Sequence, residues 1–594
     1  MTRAEALRRA VVVAGPGRSG RAGRVLSAAS VLIALLIIVP IASLLLSIAA
    51  PGTETWRHLA ETVLTGYIVN TAVLAVGVGA GVFVLGTGTA WVVTMCRFPG
   101  RRVFEWALLL PLAMPAYVIA YAYTDLLQFT GPVQGALREL TGWGPREYWF
   151  PPIRSLGGAV AMLVFVLYPY VYLLARAAFL EQSVCILEVS RTLGSTPWQS
   201  FRRVAIPAAR PALIAGTALA LMETLADYGT VAFFGVQTFT TGIVRAWTSF
   251  GDRTAAAQLS SALLCFVFVV LVLERTSRAK ARFHHTSVRY RHLPSRRLAG
   301  ARAAAAFIAC AVPVMLGFLL PAAVLIDQAR AVVDRELVAR AAELAGNSFT
   351  LGGVTAMLAV ALAVVMAYAA RISASPLTRT ANRIASMGYA IPGTVLAVGV
   401  LAPIALADRA LNTAVEATFG VSSGLVLAGS LVTLIFAYLV RFLAVSIHIV
   451  EASLAKINPR TDDAARTLGQ SAPKTLVRVH IPLMRASLLT AALLVFVDVV
   501  KELPATLLLR PFNFDTLAVQ AYNFASDERL AEASVPSLMI VAVGILPVVL
   551  LSRTIAEARP GAGAKPVRRL TSLLRPAPRG STVQEETNPR PDPS

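Results

Sequence analysis

Residues 25–50, from Val25 to Ala50, carry no charged side chain, and runs of the same kind recur along most of the 594-residue chain. A helix needs about 20 consecutive apolar residues to cross the hydrocarbon core of a bilayer. No water there can satisfy a backbone N–H or C=O, so each crossing segment must close its own hydrogen bonds as a helix. A membrane barrel would show short alternating segments instead, and the sequence has none. Only 14% of residues are charged and mean hydropathy is +0.67, against about 25% charged in soluble domains. The chain reads as an all-α integral membrane protein. Its spans, about twelve, are expected at 25–50, 67–95, 104–128, 156–180, 211–233, 255–273, 303–327, 349–371, 384–407, 421–448, 486–509 and 534–552. The basic stretch before the first span (Arg18, Arg21, Arg24) is like that of a signal peptide, but the apolar core is too long and lacks a small-residue cleavage site. A retained first helix is expected.

Orientation follows from where Lys and Arg gather, because they hold loops in the cytoplasm. They crowd the arm 1–24, the end of the second span (Arg97, Arg101, Arg102) and that of the eighth (Arg371, Arg379, Arg383). They also fill the linker 274–302, whose single acid is Glu274. Alternate loops mix signs (Glu54, Arg57, Glu61; Asp527, Glu528, Arg529, Glu532) and read as external, which puts both termini in the cytoplasm. The net charge of +22 is thus a matter of topology and anionic lipid, and no nucleic-acid motif accompanies it. Cys96, Cys185, Cys265 and Cys310 sit in or beside apolar runs without a CxxC spacing, so they are expected to be buried small residues; the six histidines form no HExxH pattern. No metal site, fixed cofactor or catalytic cluster is expected.

The chain contains a copy of itself. Residues 188–207 read EVSRTLGSTPWQSFRRVAIP and residues 463–482 read DAARTLGQSAPKTLVRVHIP, gapless at an offset of 275. Upstream the offset is 277: Asn70-Thr71 answers Asn347-Ser348, and Pro115 answers Pro392. Two six-helix halves in parallel orientation follow, 25–273 (core about 64–273) and 303–552 (core about 345–552), with a Pro/Arg-rich tail at 553–594 expected to be disordered. In each repeated loop an acid, Glu188 or Asp463, begins a short helix that Gly194 or Gly469 can end in a left-handed turn. Pro207 or Pro482 can then start the next membrane helix.

Acid, glycine and proline at this spacing, twice, resemble the EAA loop of ATP-binding-cassette (ABC) importer permeases. Departures are Val189-Ser190, Asp463 for Glu, and Ala205-Ile206-Pro207 and His480-Ile481-Pro482 for the strict I-x-L-P ending. The resemblance covers roughly residues 60–275 and 345–553 and implies the type I (MetI-like) transmembrane fold, twice, in a bacterial inner membrane. It implies that Glu188, Arg191, Gly194 and Pro207, with Asp463, Arg466, Gly469 and Pro482, belong to loops that dock on an ABC ATPase dimer. No GxxxxGK[ST] sequence occurs, so ATP and Mg fall to that partner, and substrate capture to a periplasmic or lipid-anchored binding protein. This chain would be a translocation subunit and not an enzyme. The segments 110–125, 220–247 and 498–528 resemble the iron(III) permeases of the Fbp and Sfu type. Thiamine or another small organic solute is the alternative cargo. A secondary transporter is the alternative class, though it has no need of paired coupling loops.

The helix after each loop carries two carboxylates four residues apart: Glu223 and Asp227, then Asp498 and Glu502. That spacing puts each pair on one face, roughly 18–24 Å along a helix rising about 1.5 Å per residue. Ionisable groups at that depth usually face a cavity or the bundle interior, and hard oxygen ligands suit a hard cation. Lys501 and Arg510 are the cations near enough in sequence to neutralise them.

Overall fold

The computed structural model describes residues 21–144, 147–181, 192, 194–279, 296–373 and 375–557. Among them, 11 helices are long and apolar enough to cross a membrane, and two more, Arg101–Ala113 and Ala116–Thr141, form a broken span bent by 92°. In chain order the principal helices of the first half are α1 (Arg21–Ser47), α2 (Leu64–Met95), α3 (Ala116–Leu127), α4 (Leu156–Glu181), α5 (Ile206–Ala226) and α6 (Arg253–Ala279). Those of the second are α7 (Ala301–Val332), α8 (Arg335–Ile372), α9 (Gly393–Phe419), α10 (Leu431–Ala455), α11 (Ile481–Lys501) and α12 (Leu530–Glu557). The described strands are two residues each, β1 (Cys96–Arg97) and β2 (Arg296–Arg297), paired in parallel.

Proline explains where the expected third and ninth spans fail as single helices. Proline offers no N–H and drives its predecessor into extended backbone. Met114 and Ile391 have ψ of 117° and 123°, and new helices begin after Pro115 and Pro392. The crossing helix of the second half is therefore α9, starting at 393 and ending at 419, rather than 384–407.

The expected spans 211–233 and 486–509 are corrected at both ends. Each stops at an acid, with Asp227 and Glu502 in extended backbone (ψ 130° and 122°), and resumes as a short helix, Gly229–Phe233 or Pro504–Leu509. Nor do Pro207 and Pro482 open a helix from a loop. Helix begins earlier, and five π-helical residues, Phe201–Ala205 or Leu476–His480, lead straight into α5 and α11. The wider π turn makes room ahead of a proline that cannot donate to the ladder.

The Asn-Thr and Asn-Ser pairs that mark the repeat tie down the same end of each half. Asn70 and Asn347 donate side-chain hydrogen bonds to Gln237 O (2.9 Å) and Asp515 O (3.1 Å). The Thr71 and Ser348 hydroxyls accept the Phe239 and Leu517 N–H groups at 3.4 and 2.9 Å, at the start of the helices Phe239–Thr248 and Leu517–Ser526.

Two apolar cores form, and they cut across the two halves of the sequence. One joins α2, α4 and α5 to Cys310, Val314 and Phe318 of α7 and to Ile540 and Val541 of α12. The other joins α8, α9 and α10 to Ile37 and Leu44 of α1 and to Leu259 and Leu263 of α6. The outer helices of each half thus pack on the opposite half. Cys310 is buried as expected, whereas Cys265 on α6 is exposed and Cys96 intermediate; Cys185 lies outside the described residues.

Candidate functional site

Where α5 and α11 break, a cavity of about 150 Å³ opens between the halves. All four candidate carboxylates line it: Glu223 and Asp227 from one half, Asp498 and Glu502 from the other. Their roles differ. Asp227 and Glu502 sit at the breaks and cap the short helices that follow. Asp227 accepts the Val231 N–H at 3.1 Å and the Thr230 hydroxyl at 2.9 Å. Glu502 accepts the Ala505 and Thr506 N–H groups, both at 3.0 Å. A carboxylate there satisfies amides that a helix start leaves open and meets the positive end of the helix dipole. Glu223 and Asp498 cap nothing and keep side-chain exposures of 26% and 31% toward the cavity.

Of the two cations here, Lys501 was suggested by its place in the sequence and Arg441 was not. Arg441 of α10, 8% exposed at its side chain, lies 3.0 Å from Glu502 and 3.9 Å from Glu223. Lys501 stands 4.0 Å from Asp498 and donates to Leu112 O at 3.2 Å. Arg510 pairs with Asp515 instead and leaves the four acids alone. Tyr389 donates to Glu223 at 3.0 Å, so Glu223 of the first half is held by two residues of the second. Tyr117 and Tyr170 complete the polar lining. A signal for Arg441 was present: one arginine inside a long apolar span is a functional candidate in its own right. Among the described residues no group of three His, Cys, Asp or Glu side chains could hold a metal ion.

The second repeated loop is described in full. Its helix, Arg460–Thr467, ends in a double turn: the Gly469 N–H donates to Arg466 O and the Gln470 N–H to Ala465 O, at 3.0 and 2.9 Å. Gly469 has φ +74° and Gly194 of the first loop φ +81°, the left-handed conformation that a Cβ opposes. Asp463 and Arg466 pair at 2.8 Å on the open surface, beside Leu468, which is 78% exposed. Pro482 occupies the second residue of α11 and Pro207 that of α5. Glu188 and Arg191 lie outside the described residues.

The neighbouring residue, Asp462, anchors this helix. It accepts Arg371 at 2.7 and 3.0 Å and meets His480 at 2.7 Å. Arg371, at the end of α8, also donates to Leu454 O and Ile457 O. Burial pushes the Asp462 carboxyl up, but the hydrogen bonds and charge of Arg371 and His480 outweigh it and hold the group below the usual carboxylate range.

Residues 12–277 match the family described as "Binding-protein-dependent transport system inner membrane component". The Fe(3+)-transport system permease protein FbpB 2 of Haemophilus influenzae is 25% identical over 488 residues, 82% of this chain and 89% of that protein. The sulfate transport system permease protein CysT of Escherichia coli K12 is 30% identical over 205 residues, 34% of this chain and 70% of that protein. A permease protein of Salmonella choleraesuis named for 2-aminoethylphosphonate transport, PhnU, is 29% identical over 190 residues, 31% of this chain and 65% of that protein.

Proposed function

This chain belongs to the binding-protein-dependent transport system inner membrane components, the permeases of ABC importers, and we propose that its cargo is ferric iron. The four carboxylates around one cavity between the halves carry this reading. Two of them, Glu223 and Asp498, are free of capping duty and face the space a cation would cross. Similarity to an Fe(3+) permease runs through both halves, whereas the sulfate and phosphonate relatives match about a third of the chain.

In this reading a binding protein delivers the ion from outside and an ATPase dimer, with its ATP and Mg, engages the loops of Gly194 and Gly469 from the cytoplasm, where both termini also lie. Closure of the ATPases rocks one half against the other. That motion pulls Glu223 away from Tyr389 and Arg441 and opens the cavity.

The test is uptake of radiolabelled ferric iron, thiamine and sulfate in cells lacking the gene and cells complemented with it. The intact gene should restore iron uptake; Glu223→Gln with Asp498→Asn should abolish it while the complex still assembles. Restoration of thiamine or sulfate uptake with iron unchanged would overturn the cargo and keep the permease. A complex assembled with the Gly194→Asp, Gly469→Asp double variant should hydrolyse ATP on its ATPase subunits without uptake. Normal uptake with normal assembly would remove the coupling role from these loops.

A further inference from the structure

Four arginines near the β1–β2 ladder stand where the chain's own electrostatics oppose them. The ladder places Arg97 directly beside Arg297. Laterally paired residues project from the same face of a sheet, and like charges in that arrangement repel. Arg102 lies in the first turn of the helix Arg101–Ala107 and Arg302 in the first turn of α7. At a helix N-terminus the backbone dipole disfavours a cation. All four side chains are exposed. The acid of this patch, Glu105, is engaged by Arg101 at 3.5 Å and Arg176 at 3.2 Å.

The patch is built, not merely charged. The Leu298 N–H donates to Arg97 O at 2.9 Å, joining chain segments about two hundred residues apart. Phe104 meets Phe307 edge-on at 5.1 Å and seats the helix Arg101–Ala107 against α7. Beside this junction lies an open notch of about 410 Å³, with Arg297 and Arg302 as its charged walls and Leu298, Ala299 and Ala301 as its apolar floor. From its edge the exposed side chains of Phe307, Ile308 and Val312 run along α7.

We propose that this notch binds the phosphate headgroup of an anionic phospholipid, whose acyl chains lie along Phe307, Ile308 and Val312. The phosphate answers Arg297 and Arg302, which wall the notch, and the apolar strip favours a lipid over free inorganic phosphate. Basic pockets beside membrane helices hold such headgroups. Only the assignment to the cytoplasmic leaflet rests on the orientation proposed above.

The test uses the full chain in nanodiscs with phosphatidylglycerol and phosphatidylcholine in both leaflets, so it reads binding whatever the orientation. Native mass spectrometry counts the lipids retained. Retention of phosphatidylglycerol should fall about five-fold for each arginine removed in Arg297→Ala and Arg302→Ala, with phosphatidylcholine unchanged. The Arg297→Lys, Arg302→Lys variant should keep most of it and so reports on folding. Arg379→Ala with Arg383→Ala, exposed basic residues of the helix Pro376–Ala385 with no such ladder, should change nothing. Unchanged retention in the alanine variant, or an equal fall in the control, would overturn the site. Displacement by millimolar inorganic phosphate would reassign it to a free anion. Loss of ATPase-subunit capture with lipid retention intact would make it a protein contact.

Discussion

Asp227 and Glu502 hold the same position 275 residues apart, and each caps the short helix after a broken span. Their surroundings differ. The residue that would face Asp227 as Arg441 faces Glu502 is Val166, and Ala226 stands where the second half has Lys501. Ala116 likewise corresponds to Gly393, where a Cβ would lie 2.5 Å from Glu502 Oε1 and 2.8 Å from Arg441 Nη1. Both halves need the carboxylate because both break. Only the second half brings cations to it, and it gives up a side chain at 393 to make room. The cavity is consequently acidic on one wall and charge-balanced on the other.

The two repeated loops differ in a similar way. In the first half Trp91 packs on Phe179 and Phe201 with ring centroids at 5.4 and 4.8 Å, and Trp198 packs on Phe201 at 5.4 Å. In the second, Tyr368 replaces Trp91, and Arg371, Asp462 and His480 stand where the first has Thr94, Leu187 and Ala205. Among the described residues, aromatic contacts pack the end of the first loop, while charge-assisted hydrogen bonds hold the second.

Glu502→Ala should separate the halves most. It removes a cap and the closest partner of a buried arginine, a loss of about 3–5 kcal/mol. Asp227→Ala removes a cap alone, worth about 1–2 kcal/mol. Equal shifts in thermal unfolding of the detergent-solubilised protein would erase the distinction. Gly393→Ala should come next, at about 1–3 kcal/mol for crowding the ion pair, against less than about 1 kcal/mol for Ala116→Gly; the same unfolding assay reads both.

Arg371→Ala should cost about 1–3 kcal/mol, felt locally, by taking the charged donor from Asp462 and from the carbonyls of Leu454 and Ile457. Hydrogen exchange should quicken at 454–481 and stay unchanged at 196–207. Acid should act alike on the intact protein. A carboxyl held below its ordinary 3.8 contributes stability above that pH and loses it as pH falls through the folded value. The second loop should therefore lose exchange protection at a pH that leaves residues 196–207 of the first loop, where Trp198 and Phe201 pack, protected. A first loop that opens at the same pH would sink this contrast. Arg466→Ala, in an exposed pair, should move stability by about 0.5 kcal/mol or less, so any larger change in ATP-driven uptake would point to a partner contact.

The repeat, the helical spans and the left-handed glycines Gly194 and Gly469 were legible because each is a local demand. A bilayer needs long apolar helices, a left-handed turn needs glycine, and a proline breaks or widens a helix wherever it falls. The paired carboxylates were legible as occupants of one face, and they do meet in one cavity. Their division into caps (Asp227, Glu502) and open groups (Glu223, Asp498) was not, because capping depends on a backbone break that periodicity cannot show. Arg441 was visible as a lone charge in an apolar span, but its partners lie 61 and 218 residues away along the chain.

By itself, then, the amino-acid order determined that this is a doubled, helical membrane protein with two matching loops and two matching acid pairs. All of that follows from spacing along the chain and from the cost of unpaired backbone in lipid. Only the tertiary structure decided that α1 and α6 cross to the second core and α7 and α12 to the first. A lipid-facing helix is apolar all round, so its sequence does not say which neighbour it will choose; close packing between particular surfaces does. The same packing brought Arg441 and Tyr389 to Glu223, contacts that join the two halves across the cavity.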